Sequence, residues 1–308
     1  ALREGFRSIE HVKRYTTTGM GTDQGKLGNM HALGIISETA SSKMGELGTT
    51  TFRPPYTPLT FGTIVGRNVG KYFDIIRKTP IHEWHIENKA EFENVGQWKR
   101  AWYYPQNGEN MHEAVQRESK AARDSAGILD ASTLGKIDIQ GTDASEFLNR
   151  VYTNAWSKLE IGKCRYGLML NEDGMVYDDG VTTRLDENHY IMTTTTGGAA
   201  TVLGKLEDYL QTEWPELDVY LTSVTDHYAT ISVCGPNSKK IIQKVIPEID
   251  LSDKDFPHMS FKNSKIGKVK CRVMRISFTG EQSYEINIQA NYAKSVWENC
   301  MEAGKEFN

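Results

Sequence analysis

The chain has 308 residues, of which 25% are charged and 38% hydrophobic, and its formal net charge is −4. That balance fits a folded chain with room for one large or two modest domains, and it excludes a disordered segment or a general nucleic-acid binder. No apolar run approaches the roughly 18 residues of a membrane span, no signal peptide opens the chain, and the four scattered cysteines form no CxxC pair, so the expectation is a cytoplasmic protein with reduced thiols and no zinc or disulfide framework.

Leu2, Phe6, Ile9 and Val12 recur at helical spacing and predict a short amphipathic helix over residues 1–15. Residues 16–26 are polar and punctuated by Gly19, Gly21 and Gly25. Such loops can cradle anions, but this one matches neither the dinucleotide fingerprint nor a Walker A motif, so a plain turn stays open beside that reading. A second helix is expected over residues 27–36. Prolines 54, 55 and 58 make residues 49–58 an extended arm or linker, and residues 59–78 a mixed connection.

A new domain is expected to begin at Thr79. His82 and His85 stand at i, i+3 without a third ligand, which favours orienting or capping roles over a metal; no metal is expected. Residues 96–105 are an aromatic and basic cluster that reads as a packed strand. Residues 111–125 form a helix ended by Gly127, residues 128–139 a strand region, and residues 142–145 an N-cap box opening the next helix. Residues 165–181 then read as a β-hairpin, with Asn171-Glu172-Asp173-Gly174 as its turn. The returning strand holds two adjacent carboxylates, Asp178 and Asp179. Strand neighbours point to opposite faces, so one should face solvent and the other inward. An edge-strand charge or a turn cap is the plain alternative to a chemical role. Strands and helices then alternate through residues 190–194, 199–212, 228–232 and 236–245. A last strand pair, 269–278 and 284–288, encloses Phe278-Thr279-Gly280-Glu281-Gln282-Ser283-Tyr284-Glu285. Alternation with many hairpins predicts an α+β fold over a doubly wound sheet.

Several of these motifs resemble the glycine-cleavage T-protein family: the Thr79–His85 opening, the Asp130-Ala131-Ser132 and Gly141–Leu148 progression, the Asn-Glu-x-Gly hairpin with its Asp pair, and the Thr-Gly-Glu hairpin before Glu285. The resemblance implies two ferredoxin-like units packed together with tetrahydrofolate between them. It places Asp179 beside the reactive folate nitrogens as the catalytic carboxylate, Tyr166 against the pterin, and Glu285 on the aminopyrimidine edge. Phe278 stands where the family has a tyrosine, which keeps a stacking face and drops the hydroxyl. Trp98, Tyr103 and Thr194 are implied as residues around the cavity.

Residues 16–26, 48–56, 79–85, 96–104 and 130–139 also resemble the α subunits of the heterotetrameric sarcosine oxidase family, and this likeness extends over residues 1–78. Relatives of residues 16–26 hold iron–sulfur cysteines where this chain has Met20 and Asp23, so no cluster is expected. The resemblance implies that residues 1–78 are a helical segment and arm at the tail of an upstream domain, that NAD belongs to an upstream domain outside these residues, and that residues 79–308 are a folate-binding domain cut before its C-terminal barrel; both chain ends read as cuts through a longer polypeptide. It implies a flavin-bearing β subunit and smaller subunits as partners, with FAD and FMN mainly on the partner or at its interface. The implied reaction moves a one-carbon unit from an oxidised N-methyl amine onto tetrahydrofolate, giving 5,10-methylenetetrahydrofolate. A stand-alone aminomethyltransferase and a non-catalytic folate-binding or structural subunit are the alternatives.

Overall fold

Among the described residues the unit Ala1–Ile75 has three α-helices, α1 (Ile9–Tyr15), α2 (Gly28–Thr39) and α3 (Phe61–Val65). This computed structural model describes residues 1–21, 23–52, 57, 59–67, 70 and 75–307, so residues 53–56 and 58 of the expected arm lie outside the described residues. The first helix starts later than its apolar spacing predicts. Gly5 takes a left-handed conformation, with φ of 95°, that breaks the turn before Ile9. Leu2 and Phe6 still pack against Ile9, Val12 and Ile36. The glycine-punctuated loop serves as a cap, because Asp23 Oδ2 accepts from the amides of Gly28 (2.8 Å) and Leu27 (3.2 Å) at the start of α2. An anion at that helix start would have to compete with this carboxylate.

The unit Ile76–Asn308 opens with a three-stranded sheet, β1 (Arg77–Lys78), β2 (Glu91–Val95) and β3 (Trp98–Tyr103), in the order β1-β3-β2, with α4 (His82–Glu87) between its first two strands. Helix α5 (Met111–Asp124) and strand β4 (Gly127–Asp130) follow. The next stretch is β5 (Gly135–Gln140), α6 (Ala144–Val151), β6 (Cys164–Leu170), β7 (Val176–Asp186), β8 (His189–Thr194), α7 (Ala199–Asp208) and β9 (Tyr220–Ser223). It folds into a five-stranded sheet of order β6-β7-β8-β5-β9. The last stretch is β10 (Tyr228–Cys234), α8 (Ser238–Val245), β11 (Ser260–Ile266), β12 (Val269–Arg275), β13 (Ser283–Gln289) and α9 (Ala293–Gly304), in a second sheet of order β11-β12-β13-β10-β4.

The two stretches have one topology. β10, β11, β12 and β13 occupy the places of β5, β6, β7 and β8, and β4 fills the edge that β9 fills in the first. All neighbours in both sheets are antiparallel. These are the α+β class and the paired ferredoxin-like units expected from the sequence, each with an extra edge strand.

Strand alternation sets the layers. Ile137, Ile139, Tyr190 and Met192 turn one face of the first sheet onto Phe147 and Leu148 of α6 and Val202 and Leu206 of α7. Ile231, Val233, Ile286 and Ile288 turn one face of the second onto Ile241 and Ile242 of α8 and Val296 and Trp297 of α9. The other two faces meet, where Cys164 and Ile191 pack on Met274 and Ile276. Edges join as well, since Cys164 N donates to Met259 O (2.8 Å) and Phe261 N to Gly162 O (3.0 Å).

Two local expectations are corrected. Gly127 does not end α5, which stops at Asp124; it opens β4, and a Cβ there would lie 3.1 Å from Ala122 Cβ and 3.2 Å from Cys234 Sγ. Helix α6 has Asp143 as N-cap with no side-chain cap bond, because Thr142 Oγ1 donates instead to Asp218 Oδ2 (3.0 Å). No helix among the described residues is long and apolar enough to cross a membrane.

Candidate functional site

The β6–β7 hairpin closes through Asn171 N donating to Met175 O (2.8 Å) and Gly174 N to Asn171 O (2.9 Å). A register shift between Met169 and Leu170 accommodates the turn. Across the ladder Leu168 faces Asp179 and Met169 faces Asp178. Met169 belongs to the core under the helices, so Asp178 points that way and Asp179 points toward the opposite sheet. Asp178 is the buried one, at 4% exposure. Its Oδ1 accepts from Asp179 N (2.8 Å) and Thr195 N (3.3 Å), while Oδ2 has no donor among the described residues and lies against Gly198, the N-cap of α7. A carboxylate at a helix N-terminus is favourable, so Asp178 ties the hairpin to the β8–α7 turn.

Asp179 is half-buried, and its Oδ2 accepts from Tyr166 Oη at 2.8 Å. That carboxylate pushes the Tyr166 hydroxyl pKa up. Tyr166 itself is exposed, so the pair sits at an open stretch of the inter-sheet face. Gly180 beside it lets β7 approach β8, since a Cβ there would lie 1.9 Å from Thr193 O. Gly180→Ala should therefore cost about 1–3 kcal/mol of stability, read by urea denaturation. An unchanged midpoint would mean that the β7–β8 seam yields freely.

Glu285 lies on the facing sheet. Tyr284 and Ile286 point into the helical side, so Glu285 points to the space between the sheets, where it is buried. Among the described residues no protein group donates a hydrogen bond to its carboxyl oxygens. Burial raises its pKa to about 7, against the pull of Lys136. Lys136, on β5 with its side chain toward the same space, is fully buried; its Nζ donates to Leu134 O (2.9 Å) and Ser132 O (3.0 Å). Burial lowers its pKa to about 8, opposed by Asp130, Glu285 and Asp226.

The other expected site residues are placed as follows. Phe278 is 90% exposed in the β12–β13 turn, which Ser277 ties by donating to Glu281 O (2.6 Å) and accepting from Gly280 N (3.0 Å). Beside this turn lies a cavity of 720 Å³ lined by Arg275, Ser277, Gln282 and Ser283; Tyr166, Asp179 and Glu285 are not among its walls. Thr194 is buried on the helix-covered face, opposite Asp179, where it fills the space beside Gly135. Trp98 and Tyr103 stand on β3 of the small sheet, Trp98 buried with the Arg77 guanidinium 4.1 Å over its ring. Tyr166 and Asp179 are thus joined directly and Glu285 shares their inter-sheet space, while Thr194, Trp98 and Tyr103 are not brought to the pair.

Sequence reasoning named His85 for an orienting or capping role but did not single out Lys136 or join it to a network. Tyr104 Oη and His85 Nδ1 are 2.7 Å apart, His85 Nε2 and Asp130 Oδ2 3.0 Å, and Ser132 N donates to Asp130 Oδ1 (3.0 Å). Both ring nitrogens of His85 are therefore engaged within the protein. The signal for Lys136 was its place in the alternation Lys136-Ile137-Asp138-Ile139, which alone reads as a solvent face.

Paired ferredoxin-like units with a carboxylate on each of two facing sheets define the class. The chain belongs to the GCVT N-terminal domain family, whose model matches residues 81–308. The model of the sarcosine oxidase A3 domain matches residues 1–67. The chain is 52% identical over 310 residues to sarcosine oxidase subunit alpha of Corynebacterium sp. (strain U-96), covering 100% of this chain and 32% of that one. It is 48% identical over 309 residues to sarcosine oxidase subunit alpha of Rhizobium meliloti (strain 1021), covering 99% of this chain and 31% of that one. It thus spans about a third of the length of these relatives. The crystal structure of glycine cleavage system aminomethyltransferase T from Bartonella henselae shares the fold, with a TM-score of 0.62 and 22% identity over 73% of this chain and 57% of that one.

Proposed function

We propose that residues 79–308 form the tetrahydrofolate site of a sarcosine oxidase α subunit, which accepts the one-carbon unit of an oxidised N-methyl amine. The observation that carries this reading is the Glu285 carboxylate, buried between the sheets without a hydrogen bond from any described residue. A buried carboxylate without donors is costly, and the N3–H and 2-amino group of a pterin are a matched pair of donors for it. The group therefore fits the residues present.

When bound, tetrahydrofolate supplies the nitrogens that take up the one-carbon unit. Glu285 holds the aminopyrimidine edge. Tyr166 offers its ring to the pterin and fixes the Asp179 carboxylate with its hydroxyl. Asp179 receives a proton from the attacking nitrogen or balances positive charge beside it. Phe278 adds an exposed aromatic face at the β12–β13 turn.

The match of residues 1–67 to a sarcosine oxidase domain favours this reading over a stand-alone aminomethyltransferase. On the same reading the partners are a flavin-bearing β subunit and smaller subunits, FAD and FMN belong mainly to the partner or its interface, and NAD belongs to an upstream domain outside residues 1–308. Co-purification of a yellow flavoprotein would support it; a lipoyl carrier protein as partner would support the aminomethyltransferase.

The test is a titration with reduced tetrahydrofolate, followed by tryptophan fluorescence. Binding should saturate, and Glu285→Ala should weaken it by about tenfold or more, the usual scale for a lost charge-assisted hydrogen bond. Saturable binding untouched by Glu285→Ala would remove the site from the inter-sheet face.

A further inference from the structure

We infer that Lys136 is the electrostatic partner that keeps Glu285 ionised, and so sets the pH range over which the inter-sheet site holds its ligand. The inference rests on the folate reading of that site.

Lys136 and Glu285 come from different sheets, β5 and β13, and both turn their side chains into the space where the sheets meet. The ammonium group is anchored to the carbonyls of Ser132 and Leu134, so its place is fixed by the backbone of the β4–β5 connection. Two of its three N–H donors are used there, and none goes to a carboxylate. Nothing in that arrangement gives a lysine an advantage over an apolar residue, since a buried cation is expensive to desolvate. The carboxylates around it change the balance: Asp130, Glu285 and Asp226 all act to keep it charged.

The titratable groups that share the inter-sheet face with Glu285 include Lys136 and Asp138 of β5, Cys164 and Tyr166 of β6, Asp179 of β7 and Arg272 of β12. Lys136 is the cation that acts on Glu285. From β6 comes the Cys164 thiol, which burial pushes up to about 12 and which is neutral at physiological pH. From β12, Arg272 stands diagonal to Glu285 in the ladder; its guanidinium lies 5.9 Å from the ring centres of Tyr228 and Phe261, its Nε and Nη1 have no hydrogen-bond partner among the described residues, and burial lowers its pKa against the pull of Tyr228, Asp138 and Cys164. From β10 and β13 come Thr230, Ser232, Ser283 and Asn287, all uncharged. Among the described residues Lys136 is thus the cation whose charge opposes burial at Glu285, and Arg272 is the neighbouring cation that the Lys136 variants leave in place.

The sign follows. A pterin donor pair needs the carboxylate form of Glu285, which is lost as pH falls through about 7. Without the cation at 136, burial acts unopposed, the acid is held to higher pH, and binding is lost from a higher pH downward.

The experiment uses the full chain in whatever assembly it purifies with, and compares wild type with Lys136→Met, Lys136→Gln and Lys136→Arg. One readout is the tetrahydrofolate dissociation constant from pH 6 to about 8.5. The other needs no ligand: the infrared carboxyl band of Glu285 is titrated and assigned by its absence in Glu285→Gln. Lys136→Met and Lys136→Gln should raise both midpoints by about one pH unit and weaken binding near pH 7 by about three- to tenfold, while Lys136→Arg should keep the wild-type midpoints. Unmoved midpoints in folded Lys136→Met or Lys136→Gln overturn the inference while leaving the folate site standing. Wild-type protein that binds no tetrahydrofolate overturns the folate reading, and the infrared midpoint then decides the electrostatic pairing alone.

Discussion

Asp179→Asn is expected to lower folate-dependent one-carbon transfer about 100-fold, the lower end of the range for a positioned acid–base group. Tetrahydrofolate affinity should change little. Asn has the shape of Asp and keeps an oxygen that can accept from Tyr166 Oη, so the 2.8 Å contact and the hairpin geometry survive. What disappears is the negative charge and the ability to take a proton. An interaction used mainly in the transition state affects kcat far more than KM, and that split is the readout. The measurement is methylenetetrahydrofolate formation against total amine oxidation, which separates transfer from the upstream oxidation. Tyr166→Phe is the natural companion. It frees Asp179 Oδ2 without removing the charge, so its effect on kcat should be smaller. Normal transfer by Asp179→Asn would exclude Asp179 as the catalytic carboxylate and leave the hairpin a binding element.

The adjacent carboxylate sharpens this test. Asp178 is buried, accepts two backbone amides and closes on the α7 N-terminus, so it acts on the hairpin's shape. Sequence alternation said that the two aspartates face opposite ways, and it could not say which face the second sheet would cover. The β6–β7 hairpin, its turn and most of the strand and helix cadence were legible because local rules govern them. Residues 220–223 and 260–266 were missed as strands: Tyr220–Ser223 is four residues long, and Ser260–Ile266 has four consecutive polar residues in its middle. Lys136 was passed over for a different reason. A lysine in an alternating strand reads as solvent-facing until another sheet lies on it, and that layer is built mostly from β10 to β13, residues 228–289. Thr194 shows the reverse: β8 is correctly read, but strand parity turns this threonine to the helices and away from Asp179.

His85→Leu should destabilise the protein by about 3–5 kcal/mol, because it leaves the Asp130 carboxylate buried without its partner. His85 is 1% and Asp130 4% exposed at the side chain, and the imidazole stands edge-on to Trp297 with centroids 5.1 Å apart. A neutral ring protonated on Nε2 satisfies both neighbours, accepting from the Tyr104 hydroxyl and donating to Asp130. Burial works to raise the Asp130 pKa, but hydrogen bonds from His85 and Ser132 outweigh it and hold the pKa below the usual carboxylate value. A lowered native pKa contributes stability that is present above the unfolded value of about 3.9 and lost as pH falls through the native one. Without His85 burial dominates, so the gap between wild type and His85→Leu should be widest near neutrality and narrow on acidification. Urea denaturation at neutral pH and near pH 4.5 reads both effects. The double variant His85→Leu/Asp130→Leu should recover part of the loss, since two apolar groups need no pairing. If the double variant is no more stable than His85→Leu, the cost lies in packing against Trp297 and not in the orphaned charge. The pair also reaches the candidate site: Asp130 orders the Ser132 amide, and the Ser132 carbonyl holds Lys136 Nζ. A change that frees Asp130 therefore loosens the anchor of the cation that faces Glu285.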